Sequence, residues 1–113
     1  MTSAYTFIAN LFDQLPGVSP DTIISRTLYS DERVKAVLFG FAAGQELSEH
    51  TASSPALLHI LRGEATLTLG SDSMEAREGT WAHMPAQLPH SVLAKTPVVM
   101  LLLLLRDAGR AGV

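Results

Sequence analysis

Four histidines and no cysteine set the metal-ligating chemistry that this 113-residue chain can offer. The histidines are His50, His59, His83 and His90. Imidazole is the commonest neutral metal ligand, and it suits zinc, iron, nickel and copper. Because thiolates are absent, any bound ion must be held by nitrogen and oxygen atoms, and disulfides and cysteine nucleophiles are excluded.

Patterns typical of other catalytic machinery are missing from the sequence. It has no glycine-rich phosphate loop before a helix and no G-x-S-x-G nucleophile motif. Asp31, Glu32 and Asp72 lie beside turn-forming residues. We therefore interpret these acidic residues as solvated charge in turns rather than as catalytic groups.

Composition predicts one compact domain over residues 1–113. Apolar residues make up 47% of the chain and charged residues 17%, which favours a filled core over disorder. A net charge of -3, spread along the sequence, excludes nucleic acid as the expected partner. No secretion signal is evident over Met1 to Leu15, so a cytoplasmic location is the expectation.

The elements that must position the histidines are short stretches rich in β-branched, aromatic and leucine residues, each bounded by turn formers. A short helix or extended arm is predicted over Phe7–Leu15, and a turn over Gly70 to Ser73 is predicted to close a hairpin. This pattern predicts an all-β sandwich or barrel. The predicted strands are 22–29, 33–41, 45–50, 56–62, 65–69, 74–77, 80–84, 90–95 and 98–105.

Two motifs separated by this hairpin contain His50 and His90. The first runs from Gly44 through His50 to Gly63, and the second runs from Gly79 through His90 to Ala94. Together they resemble the two motifs of the cupin superfamily, G-x5-H-x-H-x(3,4)-E-x6-G and G-x5-P-x-G-x2-H-x3-N. The resemblance implies a single RmlC-like cupin domain, folded as a double-stranded β-helix or jelly-roll barrel.

In metal-binding cupins, the resemblance implies a site of three histidines and one glutamate that holds iron, manganese, nickel or zinc. His50 matches the first histidine of that set and His90 matches the last. Ala52 stands where the second histidine belongs, and Ala56 stands where the glutamate belongs. The motif is thus degenerate, and His50 and His90 are the metal ligands that the sequence predicts.

The second motif departs from the family pattern elsewhere as well. Gln87 replaces its internal glycine and Ala94 its asparagine, so the turn before His90 is expected to differ. Trp81, Met84 and Leu88 are predicted to form core or pocket wall rather than specific ligand contacts.

The alternation of side chains between the two faces of a strand indicates whether other residues could ligate an ion together with His50. In a regular strand, Glu46 shares a face with His50 but lies roughly 13 Å from it, too far to ligate the same ion. His59 lies three residues after Ala56, an odd number, so in a regular strand the two side chains point to opposite faces. His59 should therefore point away from the barrel axis if Ala56 points inward. No role is predicted for His83.

Two functions remain open at this point. In the first, His50 and His90 hold one divalent ion, and the chain is a dioxygenase or isomerase acting on a small oxygen-rich metabolite. In the second, the pocket binds or senses a small molecule without metal or turnover. Neither hypothesis needs an organic cofactor, and metal content distinguishes them.

The apolar run Val98–Leu105 also predicts self-association. Its eight residues fall well short of the roughly 20 that a helical membrane span requires, so we interpret the run as a buried strand and expect no membrane partner. An uncovered strand of this kind would promote aggregation. Coverage by the N-terminal arm or by a second copy is therefore expected, and a homodimer is predicted.

Overall fold

A computed structural model describes residues 4–106, and within them it contains nine β-strands and one short 3-10 helix at Leu11–Gln14. The predicted all-β class is confirmed. The predicted domain, residues 1–113, extends beyond the described residues at both ends. The strands are β1 (Ile23–Ser30), β2 (Val34–Phe41), β3 (Glu46–His50), β4 (Ala56–Arg62), β5 (Ala65–Leu69), β6 (Asp72–Ala76), β7 (Trp81–Met84), β8 (His90–Ala94) and β9 (Val98–Leu105).

The strands form two antiparallel sheets with jelly-roll connections. The five-stranded sheet has the order β1-β2-β9-β4-β7, and the four-stranded sheet has the order β3-β8-β5-β6. Neighbours such as β2 and β9, or β3 and β8, are far apart in sequence, so the chain crosses repeatedly between the sheets. The predicted barrel is thus a two-sheet jelly roll, and within residues 4–106 hydrogen bonding does not close it into one continuous sheet.

The core lies between the sheets and follows the two-residue period of the strands. In β4, Ala56, Leu58 and Ile60 are buried, while the residues between them are half-buried on the outer face. They face Leu67 of β5 and Val92 of β8, which are both 1% exposed. Burying a side chain of this size contributes about 1.5–3 kcal/mol, so this alternation fixes which face of each strand points inward.

The N-terminal segment is an arm with one helical turn. The Asn10 side chain accepts a hydrogen bond of 3.0 Å from the backbone N–H of Phe12 and so caps this turn. Further along, Leu15 and Val18 pack on β2 so closely that a Cβ at Gly40 would lie 2.9 Å from the Val18 side chain. The arm therefore covers part of the outer face of the larger sheet at β2, whereas the sequence predicted coverage of the run Val98–Leu105.

The hairpin between β5 and β6 is tighter than predicted. Leu69 pairs with Asp72, so Gly70 and Ser71 alone form the loop, and Asp72 begins β6 instead of lying in the turn. Gly70 has a φ of 63°, which suits a glycine at the first position of a two-residue hairpin loop. The predicted turn over Gly70 to Ser73 was too long because Asp72 and Ser73 are paired in the sheet.

Asp31 organises the turn between β1 and β2, where the sequence placed it. Its Oδ1 accepts hydrogen bonds from the backbone N–H groups of Arg33 and Val34, and its Oδ2 accepts one of 2.6 Å from the Tyr29 hydroxyl. The Tyr29 bond is the largest cause that lowers the pKa of Asp31, and it raises the pKa of Tyr29. The carboxylate thus has a structural role. Within residues 4–106, no helix is long and apolar enough to cross a membrane.

Candidate functional site

His50 and His90 meet inside the jelly roll, as the sequence predicted. They are direct cross-strand partners between β3 and β8, and their ring centroids are 4.1 Å apart with an interplanar angle of 60°. His90 is only 7% exposed, whereas His50 is exposed at the rim of the four-stranded sheet. The pair therefore connects the buried interior with the surface.

A β-bulge in β3 turns His50 inward. Leu47 pairs with Val92 and His50 pairs with His90, so three steps along β3 match two along β8. The extra residue places His50 on the inward face with Leu47 and leaves Glu46 on the opposite face, beside Leu93. The assumption of a regular strand, which put Glu46 on the same face as His50, is wrong, and Glu46 does not line the site.

Hydrogen bonds to the backbone fix both imidazole rings. His50 Nδ1 lies 2.8 Å from the carbonyl oxygen of Ser48, and His90 Nδ1 lies 2.9 Å from that of Leu88. Because a carbonyl oxygen can only accept, Nδ1 carries the proton and Nε2 of the neutral ring has a free lone pair. Within residues 4–106 neither Nε2 atom has a protein hydrogen-bond partner. Every fully buried side-chain nitrogen or oxygen there does have a partner, so an Nε2 atom without one is not fully buried. The Nε2 atom of His90 therefore borders open space.

That space is a cavity of about 150 Å³. Apart from the two histidines and Ser54, its wall is apolar, and it includes both alanines that replace family ligands. The lining residues are His50, Ala52, Ser54, Ala56, Met84, Pro85, Leu88, His90, Leu102 and Leu104. The motif positions thus converge as the resemblance implied, with methyl groups where two of the ligands would be. Met84 and Leu88 form pocket wall, as predicted.

Gln87 holds the loop beside this cavity. Its φ is 68°, so the position keeps the left-handed conformation for which the family pattern uses glycine, although the residue is not glycine. Its backbone N–H donates a 2.8 Å hydrogen bond to the carbonyl oxygen of Ala52. Pro85 and Leu88 of the same loop line the cavity. Gln87 therefore connects the two motifs through the backbone.

The other two histidines lie on the outer face of the larger sheet. His59 pairs with Trp81 and Leu101, and His83 pairs with Leu57. Neither histidine lines the cavity. Trp81 is 60% exposed on this face, so the prediction that it forms core or pocket wall is wrong. The register of β7 against β4 puts Trp81 opposite His59 and thus away from the core.

The residues present do not fit a centre of three histidines and one glutamate. Within residues 4–106, no group of three or more histidine, cysteine, aspartate or glutamate side chains is placed to hold an ion. Ala52 and Ala56 contribute only apolar surface to the cavity. The narrower prediction, a divalent ion held by His50 and His90 alone, stays a prediction.

Comparisons with known proteins agree with the geometry. The family model for the cupin domain matches residues 37–104. A cupin superfamily protein from Desulfitobacterium hafniense is 29% identical, with a TM-score of 0.78 over 83% of this chain and 86% of its own. A conserved protein of unknown function from Streptococcus pyogenes is 27% identical, with a TM-score of 0.81 over 96% of this chain and 93% of its own.

A more distant structure shows the same fold alone. An RmlC-like cupin from Shewanella frigidimarina is 14% identical, with a TM-score of 0.76 over 98% of this chain and 97% of its own. No curated protein matches the chain. The resemblance stated from the two motifs is therefore confirmed at the level of family and fold.

Proposed function

This chain belongs to the cupin family, and on that premise we propose that it binds a small molecule beside His50 and His90 without a resident metal ion. The observation that carries the proposal is that two imidazole rings, each held through Nδ1 by a backbone carbonyl oxygen, line a cavity whose wall is apolar apart from Ser54. Small-molecule sites typically combine apolar surroundings with a few placed polar groups. The cavity has that character.

The size of the cavity limits the ligand. An apolar cavity of about 150 Å³ in another protein admits benzene, and the cavity here has a similar volume. Drug-sized ligands need roughly 300 Å³ or more. A single ring or a branched chain with about six to eight non-hydrogen atoms would fill it.

The polarity of the cavity limits the ligand further. With Nδ1 protonated on both rings, each neutral imidazole presents an acceptor, so the complementary group on the ligand is a donor such as a hydroxyl. Apart from the Ser54 hydroxyl, the remaining wall side chains offer no partners for further polar groups. Several buried hydroxyls would remain unsatisfied, and each costs about 1–3 kcal/mol. The wall thus favours a largely apolar ligand with one or two donors over the oxygen-rich metabolite predicted from the sequence.

A metal-dependent dioxygenase or isomerase is the second candidate function, and one observation favours it. Metal-ligating histidines usually donate their other ring N–H to a carbonyl or carboxylate, and both rings here do so. An ion held by two imidazoles would need water or substrate oxygens to complete its coordination. Elemental analysis of tag-free protein purified without chelator separates the candidates. Near-stoichiometric metal that is lost in His50→Ala or His90→Ala supports the second and contradicts the first.

Phenol and toluene are matched probes for the metal-free proposal, because they differ in one hydroxyl group and little in volume. Phenol should bind more tightly than toluene in calorimetric titrations. Either His90→Leu or His50→Leu, whichever removes the ring that accepts the phenol hydroxyl, should weaken phenol binding about tenfold, the effect of one lost hydrogen bond, and leave toluene binding unchanged. His59→Leu, on the outer face, is the control and should have no effect.

Two outcomes would contradict this function. One is equal affinity for phenol and toluene in the wild-type protein. The other is unchanged phenol binding in both histidine variants, which would place the probe elsewhere. Chemical-shift changes at Leu102 and Leu104 methyl groups should accompany binding, because both side chains line the cavity.

A further inference from the structure

A second concavity, of about 500 Å³, lies between the N-terminal arm and the ends of β2, β4 and β9. Its wall is mostly apolar and includes the accessible side chains of Val18, Pro97 and Val99. Its volume falls within the roughly 300–1,000 Å³ of ordinary ligand sites. Val98 lines this groove and Leu104 lines the histidine cavity, so β9 separates the two by about 20 Å at 3.3 Å per residue.

Arg62 supplies a cation to this groove because of a second β-bulge. Ile60 pairs with Met100, but Arg62 pairs with Val99 instead of Val98. The irregularity turns Arg62 away from the core face and toward the arm. There the guanidinium carbon lies 3.9 Å from the centroid of the Phe12 ring.

This stacking orients the Arg62 guanidinium without using its hydrogen-bond donors. A cation over an aromatic face is attracted by the π system, and the N–H groups at the guanidinium edge stay available. Within residues 4–106, the ion pair that forms is Lys95 with Glu75, so no described carboxylate neutralises Arg62. The groove therefore contains a cation that Phe12 holds and that has no carboxylate partner among the described residues, beside an apolar wall.

We propose that this groove binds a monocarboxylate with an apolar body, whose carboxylate pairs with Arg62 and whose body lies against Val18, Pro97 and Val99. The planar fork of a guanidinium matches a carboxylate with two parallel hydrogen bonds. Asp21, at the same groove, opposes an anion. We expect the attraction of Arg62 for an anion to exceed the repulsion from Asp21, because the guanidinium is weakly hydrated and already held by Phe12. No hydrogen bond within residues 4–106 holds the Asp21 carboxylate in the same way.

Decanoate, decanol and decylamine, titrated below their micellar concentrations, test the charge and the apolar body separately. Decanoate should bind more tightly than decanol or decylamine. Arg62→Met should weaken decanoate binding about tenfold or more, since a charge-assisted hydrogen bond contributes more than one tenfold step in affinity, and should leave decanol within twofold. Arg77→Met removes the same charge outside the groove and should leave decanoate binding unchanged.

Two further variants keep the test informative if Arg62→Met loses stability. Arg62→Lys keeps the charge but lacks the fork, so it should bind decanoate at an intermediate strength. His50→Leu should have no effect on decanoate, which distinguishes this groove from the histidine cavity. The proposal is overturned by tighter binding of decylamine that depends on Asp21, by decanoate binding that Arg62→Met leaves unchanged, or by the absence of saturable binding.

Discussion

A Cβ atom at Gly63 would overlap the carbonyl oxygen of Pro97. Gly63 closes the first motif between β4 and β5, and its φ of 94° lies in the region that favours glycine. The backbone of the turn between β8 and β9 thus occupies the space that any larger residue at position 63 would need. Close approach and backbone conformation both require glycine here.

Gly63→Ala should therefore be severely destabilising. Left-handed backbone alone costs an L-residue about 1–2 kcal/mol, and relieving an overlap with backbone atoms must move one of the two turns as well. We expect a loss above roughly 4 kcal/mol, in the range of exceptional single substitutions. Urea denaturation with an unchanged m value would measure it.

Gly44→Ala is the matched control for Gly63→Ala. Gly44 also has a positive φ, of 84°, but a Cβ there would meet no atom within 4 Å. Its substitution should cost only the backbone term, about 1–2 kcal/mol. Equal losses in the two variants would show that the contact with Pro97 does not constrain the fold.

Gln87→Gly should relax the loop beside the histidine cavity. Glycine removes a left-handed penalty of about 1–2 kcal/mol, while the greater freedom of its unfolded chain offsets roughly 0.5–1 kcal/mol. The expected net gain in the free energy of unfolding is between zero and about 1.5 kcal/mol. Thermal or urea denaturation would check it.

Gln87→Ala and Gln87→Pro complete that series. Alanine keeps the Cβ and should behave like the wild type. Proline cannot adopt the φ of 68° or donate to the Ala52 carbonyl oxygen, so it should be strongly destabilising. A glycine variant less stable than the alanine variant would contradict the assignment of strain to position 87.

The Tyr29–Asp31 hydrogen bond should make stability depend on pH at both extremes. The lowered pKa of Asp31 means that its contribution is present above the ordinary value of 3.8 and is lost as the pH falls through the folded-state pKa. The raised pKa of Tyr29 means that its contribution is present below 10.0 and is lost as the pH rises further.

Tyr29→Phe tests this dependence, because it removes the hydroxyl and keeps the ring. The stability difference between wild type and variant should be largest near neutral pH and should shrink on both the acidic and the alkaline side. Denaturation midpoints measured across the pH range would show it. A difference that does not vary with pH would mean that the hydrogen bond does not contribute to stability.

Much of the fold could be predicted because burial follows strand alternation. The bounds of β4, β5 and β9 agree with the predicted strands, and the remaining strand ends differ by no more than two residues. In these strands, turn formers and apolar runs coincide with the hydrogen-bonded ladders. The convergence of His50 and His90 came from the spacing of the two motifs, which fixes which strands carry them.

What the sequence could not predict depends on register between strands. No glycine or proline lies between Leu47 and His50 to indicate the bulge that separates Glu46 from His50. The outward position of Trp81 follows from its pairing with His59, which is distant in sequence. The groove at Arg62 was missed for the same reason, since it depends on a bulge and on packing of the arm.

The outer face of the five-stranded sheet is where a second copy of the chain should bind. Leu103 and Leu57 are cross-strand partners on this face, and Trp81 is 60% exposed beside them. Within residues 4–106 the arm packs against the Gly40 end of this face, while Leu57 and Leu103 are only half-buried. A two-fold axis would pair the patch with itself and bury it, as in most homo-oligomers.

Trp81→Glu should therefore shift the predicted homodimer toward monomer. A charge in the middle of a desolvated apolar interface costs several kcal/mol, whereas at a solvated position it costs little, so the monomer should stay folded. Light scattering across a concentration series would measure the mass, and thermal denaturation would confirm folding. Leu93→Glu is the matched control, because Leu93 is 38% exposed on the other sheet and should leave the dimer intact. A wild-type mass equal to one chain at every concentration, or dissociation by both variants alike, would contradict an interface on this face.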